Sequence, residues 1–315
     1  MDYEPVSHTA TDRPLGRLPS GADVAVTVHR YTGGDGPTVY VQAAQHGIEL
    51  NGPAALRRLH GRLLDAALAG TVVVVPVVNP LAFDHRSYVT PPEYDVLNPN
   101  LNRVWPGDES GSLQERLAAG LWELVTEADA AVDLHTGTAD MLEHVRVPDG
   151  DADARRLGAA FGTEYLLTDD ASEEASDGQF RHAAAREGIP AVTAELANSR
   201  QVSDEAAKTG VAGVTDVLGA VGVLDRDPTP APDQLRLRDD PSSTTATESG
   251  LFEPRSGLGV GDRVDTGAEL GTVYCPSSFE QRETVTATDG GLVYSLTREG
   301  VVNAGERLAD VAAPD

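Results

Sequence analysis

The segment from Thr38 to Val78, TVYVQAAQHGIELNGPAALRRLHGRLLDAALAGTVVVVPVV, decides the fold. Thr38 to Ala44 reads as a strand that runs into Gln45-His46-Gly47-Ile48-Glu49. From Gly52 to Ala69, the residues Leu56, Leu59, Leu63, Leu64 and Leu68 recur at a spacing that gathers apolar side chains on one helix face, with Gly70 as the expected stop. Val72 to Val78 is apolar on both faces, as a central parallel strand should be. Strand, helix and parallel strand begin an α/β fold.

Working outward, Val24 to Val28 is a second strand, joined to the first by the turn Thr32 to Pro37. Downstream, the Pro- and Asn-rich stretch Asn79 to Asp108 is too long for a simple connector and has the length of a functional loop. Helices are expected at Leu113 to Thr126, Asp151 to Phe161, Gly178 to Glu187 and Asp204 to Leu218. Strands are expected at Ala130 to Leu134, Glu143 to Val147 and Pro190 to Ala194. The texture turns to Pro, Asp, Ser and Thr after Asp225, so the division reads as an α/β catalytic unit 1–225, a boundary 226–249 and a small glycine-rich β domain 250–315.

Aromatics make up only 5% of the residues, so the core must be built from Val, Leu and Ala. Formal charge is −26, from 50 acidic against 24 basic residues, and Lys208 is the single lysine. Spread along the whole chain, this acidity resembles the proteins of extreme halophiles such as a halophilic archaeon with high internal salt; the plain alternative is an acidic protein from an ordinary host. No basic stripe is available for phosphate, which argues against nucleic acid and anionic membranes as partners. The N-terminus carries Asp2, Glu4 and Pro5 where a signal peptide would be basic and then apolar, so a cytoplasmic location is expected. The lone Cys275 agrees with a reducing compartment.

Open α/β sheets bind ligands at the carboxyl ends of their strands. Three such ends carry His46 with Glu49, His135, and Glu195. A His-x-x-Glu pair plus one remote histidine makes three ligands and leaves a position for water, the pattern of a catalytic rather than a structural zinc. By itself the pair could equally be a solvated helix start. Asn98-Pro99-Asn100-Leu101-Asn102-Arg103-Val104-Trp105-Pro106-Gly107 lies between the ligands.

Together these residues resemble the succinylglutamate desuccinylase and aspartoacylase family of the zinc carboxypeptidase clan. Its members carry His-Gly-x-Glu after a strand, a buried strand ending in Asn-Pro, then Asp-Leu-Asn-Arg-x-Phe-Pro-Gly, Asp-Leu-His, and a Glu after a further strand. Here stand His46-Gly47-Ile48-Glu49, Asn79-Pro80, Leu101-Asn102-Arg103, Pro106-Gly107, Asp133-Leu134-His135 and Thr193-Ala194-Glu195, in the same order. The match runs from about Leu15 to Leu196.

The resemblance implies a zinc-carboxypeptidase-like mixed sheet flanked by helices; the terminal β domain, with Gly257 to Val264 and Ala287 to Gly291, is itself similar to the barrel-sandwich of biotinyl and lipoyl carriers. It implies one Zn2+ per chain on His46, Glu49 and His135, with Glu195 as general base and acid. Asn102 and Arg103 would grip a substrate carboxylate, and Arg86 would polarise the scissile carbonyl. The implied substrate is a small N-acyl amino acid. Asn100 departs from the usual Asp, which puts loop anchoring in doubt, and Trp105 replaces Phe as an aromatic filler. His8, His29, His60, His85, His144 and His182 show no ligand spacing, though His144 could line the pocket, and Arg181 and Arg186 could add carboxylate contacts. The β domain, which has no lysine to modify, is expected to cap the site. Two rivals stay open, a peptide-cutting carboxypeptidase and a homologue that binds without catalysis; a homo-oligomer stays open too. If the halophilic reading holds, dialysis into dilute buffer unfolds the protein, as followed by circular dichroism; full structure retained there would reject it.

Overall fold

Along Thr38–Ala43, Val39, Val41 and Ala43 point to one side of the sheet and Tyr40 and Gln42 to the other. The same division separates Val132 and Leu134 from Asp133 and His135 in Ala130–Gly137, and Val192, Ala194 and Leu196 from Thr193 and Glu195 in Ala191–Asn198. The first set packs against helices Asn51–Leu64, Ala152–Phe161 and Asp204–Val221 through Leu56, Leu59, Leu63, Leu157, Phe161, Val214 and Leu218. Burial of each such side chain contributes about 1.5–3 kcal/mol. On the opposite face, Tyr40, Val73, Val75, Ala131 and Ala191 are covered by Trp122 of helix Leu113–Val125 and Phe180 of helix Phe180–Arg186. Helices thus clothe both faces of an aliphatic sheet. The computed structural model describes residues 2–137, 140–169, 178–229, 233–238 and 243–314.

Strand order across the α/β part is Ser7–Arg17, Asp23–Thr32, Thr71–Val75, Thr38–Ala43, Ala130–Gly137, Ala191–Asn198, His144–Pro148, Tyr165–Asp169 and Leu235–Arg238. Thr71–Val75, Thr38–Ala43, Ala130–Gly137 and Ala191–Asn198 are mutually parallel. His144–Pro148 runs antiparallel to Ala191–Asn198, and Asp23–Thr32 antiparallel to Thr71–Val75, so the sheet is mixed. Because neighbouring strands are in register, Glu195 stands opposite His135 on one side and opposite His144 on the other.

Several boundaries differ from the sequence expectation for physical reasons. The first helix ends at Leu64, and Ala67–Leu68 instead pairs with Glu4–Pro5. Gly70 therefore does not stop a helix; it lies against the Thr32 to Pro37 turn, where a Cβ would sit 2.0 Å from Pro37 O. Ser7–Arg17 was not legible as a strand because its side chains are mostly exposed and lack apolar alternation. The strands carrying His135 and Glu195 continue to Gly137 and Asn198, so both residues lie within strands, with a register shift between Glu195 and Asn198.

The stretch read as a boundary holds the strand Leu235–Arg238, parallel to Tyr165–Asp169; residues 230–232 and 239–242 of that stretch lie outside the described residues. Arg307–Pro314 pairs with Leu235–Arg238 and with Gly291–Leu296, carrying the sheet on into the C-terminal strands. A separate four-stranded sheet of Gln281–Thr286, Glu269–Tyr274, Gly250–Pro254 and Val301–Val302 faces them across Phe252, Leu270, Val273, Val293 and Leu308. Among the described residues, no helix is long and apolar enough to cross a membrane.

The helix that follows the His46/Glu49 loop is anchored at its start. Gly52 presses so close to the strands that a Cβ would lie 2.9 Å from Ala43 Cβ and 3.0 Å from Leu134 Cβ. Fully buried Asn51 donates from Nδ2 to Leu196 O at 2.7 Å and accepts from Ser203 N at Oδ1 at 2.8 Å. Asn51→Ala removes these two bonds and the one from Nδ2 to Asn198 O at 3.3 Å, and is expected to lower the unfolding free energy by about 2–3 kcal/mol. Urea denaturation checks this, and a change within error of zero would show that water replaces the amide.

Candidate metal centre

The loop Gln45 to Glu49 reverses direction where the strand Thr38–Ala43 ends, and Gly47 makes the reversal fit. A Cβ at that position would lie 2.0 Å from Ala82 O. His46 and Glu49, three residues apart, then turn into the same buried space as His135. Glu49 sits between the two imidazoles: Oε1 is 2.8 Å from His46 Nδ1 and Oε2 is 3.0 Å from His135 Nδ1. Glu49 Oε2 also accepts from the Thr136 N–H at 3.2 Å.

The far nitrogens of both rings face acceptors. His46 Nε2 is 3.2 Å from Asn100 Oδ1, and His135 Nε2 is 2.8 Å from Asp133 Oδ2. Such partners place the proton on Nε2 and leave both Nδ1 lone pairs aimed at the carboxylate. Lone pairs facing a carboxylate repel it unless a cation lies among them. Two imidazole nitrogens and a carboxylate oxygen all within 4.8 Å of one another form a donor set suited to zinc.

The electrostatics point the same way. Burial alone would raise the Glu49 carboxyl, but His46 and His135 outweigh it and hold it at about 2. Burial alone would lower His135, but Asp133 and Glu49 outweigh it and push that imidazole well above its ordinary range. The two carboxylates thus call for positive charge at this spot, which a proton or a metal ion can supply.

Asp133 is itself held by a chain of side chains. Gln42 Nε2 donates to its Oδ1 at 3.1 Å, and Gln45 Nε2 to its Oδ2 at 2.7 Å. Gln45 Oε1 in turn accepts from the Trp105 indole at 2.8 Å. Trp105 is therefore more than the aromatic filler expected from the sequence, since a Phe could not orient Gln45. Asn100 likewise keeps the loop anchored: its Oδ1 accepts from Asn102 N at 3.0 Å while facing His46.

Glu195 is half-buried beside His135. Burial is the largest influence on it and pushes its carboxyl above the ordinary 4.5; His135 pulls it down and Glu49 pushes it up further. His144, opposite Glu195, is fully buried, donating to Leu142 O at 2.8 Å and accepting from Arg146 Nε at 3.1 Å, so it belongs to the wall of the site. Tyr88, which sequence reasoning missed, stacks on His46 with ring centroids 4.0 Å apart and planes at 17°. No local spacing announces that contact, because the loop carrying Tyr88 folds back over the ligand.

Asn102 is buried, and its Oδ1 is taken by the Phe180 N–H at 3.0 Å, which leaves the amide nitrogen as its remaining donor. Arg103 is exposed and donates to Asn102 O at 2.7 Å; partial desolvation lowers its basicity, with the cations Arg181 and Arg307 lowering it further. Arg181, which the sequence suggested as an extra substrate contact, is buried and bound to Asp169. Arg186 lies exposed in the last turn of its helix. Arg86 is exposed in a left-handed conformation (φ 54°) that ends the helix Pro80–His85, two residues before Tyr88.

Residues 35–221 match the model of the succinylglutamate desuccinylase/aspartoacylase catalytic domain. The chain belongs to the succinylglutamate desuccinylase/aspartoacylase family. A relative within reach is the N-alpha-acetyl-L-2,4-diaminobutyric acid deacetylase of Halomonas elongata, 30% identical over 301 residues, covering 89% of this chain and 83% of that protein. The product-bound structure of the ectoine utilization protein EutE (DoeB) from Ruegeria pomeroyi is 26% identical with a TM-score of 0.86, covering 99% of this chain and 96% of that one. A succinylglutamate desuccinylase/aspartoacylase from Rhodobacter sphaeroides, 24% identical over 100% of this chain and 97% of its own, shares the fold with a TM-score of 0.84.

In this family member, Asp133 is the carboxylate that orients His135. Asp133→Asn is expected to weaken zinc binding about 10–100-fold. Competition against a chromophoric chelator measures it, and an unchanged affinity would remove Asp133 from the support of the site.

Proposed function

We propose that this chain is a zinc-dependent deacylase that hydrolyses the amide bond of a small N-acyl amino acid. The observation that carries the reading is the convergence of His46 Nδ1, His135 Nδ1 and Glu49 in a buried cluster with Glu195 beside them. Family membership supports a hydrolase. The 30% identity to a diaminobutyrate deacetylase supports an acetyl group on a short amino acid, with Nα-acetyl-L-2,4-diaminobutyrate as the first substrate to try.

Zinc held by His46, His135 and Glu49 would supply Lewis acidity, bringing the pKa of a water toward ~7 and polarising a carbonyl. Glu195 takes a proton from the attacking water and returns it to the amine nitrogen as that leaves. Arg86 is assigned the developing oxyanion, on the family resemblance and its place just before Tyr88. Arg103, with the Asn102 amide, is assigned the substrate carboxylate, which a guanidinium fork fits. One C–O bond forms and the C–N bond breaks, giving a carboxylic acid and a free amino acid.

The C-terminal strands are assigned the role of a cap. Asp140–Met141, just past His135, pairs with Gly291–Leu296, and Arg298 bonds to Asp140. Arg307 contributes positive charge near Tyr88 and Arg103.

A panel of N-acetyl, N-succinyl and N-formyl amino acids, run with a zinc determination, tests the substrate class; hydrolysis of peptides alone would overturn it in favour of a carboxypeptidase. Glu195→Gln should keep its zinc while kcat falls by about 10²–10⁴. A general base acts only when ionised, so the raised Glu195 carboxyl places the acidic limb of kcat/KM above pH 4.5. That limb should vanish in the variant, and a limb that persists there would assign the base elsewhere.

A further inference from the structure

A second group of histidines meets on the other side of the sheet. His8 lies on the outer strand Ser7–Arg17, His29 on its neighbour Asp23–Thr32, and His60 on the helix Asn51–Leu64 that crosses them. Register fixes the face: His29 stands beside Val74, Val74 beside Val41, and Val41 beside Val132, so His29 points away from the side that carries His135. Ring centroids are 5.4 Å apart for His8 and His29, 5.1 Å for His8 and His60, and 5.8 Å for His29 and His60.

Each ring offers one nitrogen, and the three nitrogens lie within 4.8 Å of one another. His8 Nε2 and His29 Nδ1 are 3.2 Å apart, a distance at which the two nitrogens share one proton or one cation. Tyr31 OH lies 2.6 Å from His60 Nδ1 and fixes that ring, as the outer partner of a ligating histidine does. Burial first, and then His60, lowers the pKa of His8; burial, then His8 and His60, lowers that of His29.

All three side chains are half-buried, which leaves an approach from solvent. The donor set is nitrogen only. That chemistry disfavours calcium and magnesium, which require oxygen ligands, and favours late first-row divalent ions.

We propose that His8, His29 and His60 form a second metal site, taking zinc or a neighbouring ion such as nickel or copper, that ties the N-terminal hairpin to the helix Asn51–Leu64. The site takes no part in hydrolysis and stands whether or not the deacylase reading holds. By clamping three elements distant in sequence it opposes their separation on unfolding, so it stabilises the edge of the sheet.

The decisive experiment uses the full chain carrying Glu49→Gln and His135→Gln, which disables the inner group. After chelator treatment and exposure to zinc followed by desalting, this variant is expected to retain one equivalent of zinc. Its thermal midpoint should rise on zinc addition, and its copper-loaded form should give an electron paramagnetic resonance spectrum with coupling to several nitrogens. Adding His29→Gln and His60→Gln should abolish all three signals while circular dichroism shows the fold retained. No bound zinc in the inner-site variant would overturn the proposal. An equivalent that survives His29→Gln and His60→Gln would overturn it equally.

Discussion

A buried carboxylate placed between two imidazole nitrogens is the constraint on which the rest of the molecule depends. Glu49 is almost fully withdrawn from solvent, at 3% exposure, and a charge so placed is tolerable only if opposite charge is at hand. A cation shared with His46 Nδ1 and His135 Nδ1, which flank it on either side, would meet that need. Their outer nitrogens are held by Asn100 and Asp133, so neither ring is free to turn away. The geometry is consequently set before any cation arrives, which is the condition for tight binding and for repeatable chemistry.

The surroundings serve that geometry at increasing distance. Asp133 is steered by Gln42 and Gln45, and Gln45 by Trp105 from the long loop that sequence composition had singled out. The loop is fastened in turn where Asn102 accepts the Phe180 N–H and Trp105 N donates to Gly178 O. A sheet strand, a tight reversal and a loop far along the chain therefore meet through hydrogen bonds rather than through apolar contact alone. Apolar contact covers the opposite face through Val, Leu and Ala, and on the site's own face Tyr40, Val73, Ala131, Trp122 and Phe180 pack beside the polar residues.

Much of this was legible in the residues themselves. The run from Thr38 to Val78 gave away strand, helix and strand because its periodicities are clean, and His46, Glu49, His135 and Glu195 stand in motifs short enough to read. Other features depend on long-range pairing that leaves no local trace. Ser7–Arg17 is an exposed edge strand, held by its partner rather than by an apolar pattern. Ala67–Leu68 continues a helical periodicity but is captured by Glu4–Pro5. Leu235–Arg238 hides in a Pro- and Ser-rich stretch, and Tyr88 reaches His46 only because its loop folds back. His8, His29 and His60 have no spacing in common, and only the crossing of a helix over a hairpin brings them together.

The proposed hydrolase requires the inner group to hold a cation through the Nδ1 atoms of both histidines. Anomalous diffraction at the zinc edge, from crystals of the zinc-loaded protein, tests it most directly. The expected result is a peak bonded to His46 Nδ1 and His135 Nδ1 at about 2.0–2.1 Å and to a Glu49 oxygen at about 2.0–2.2 Å. A zinc-loaded crystal with no peak between these residues, or with either ring turned to present Nε2, would contradict it.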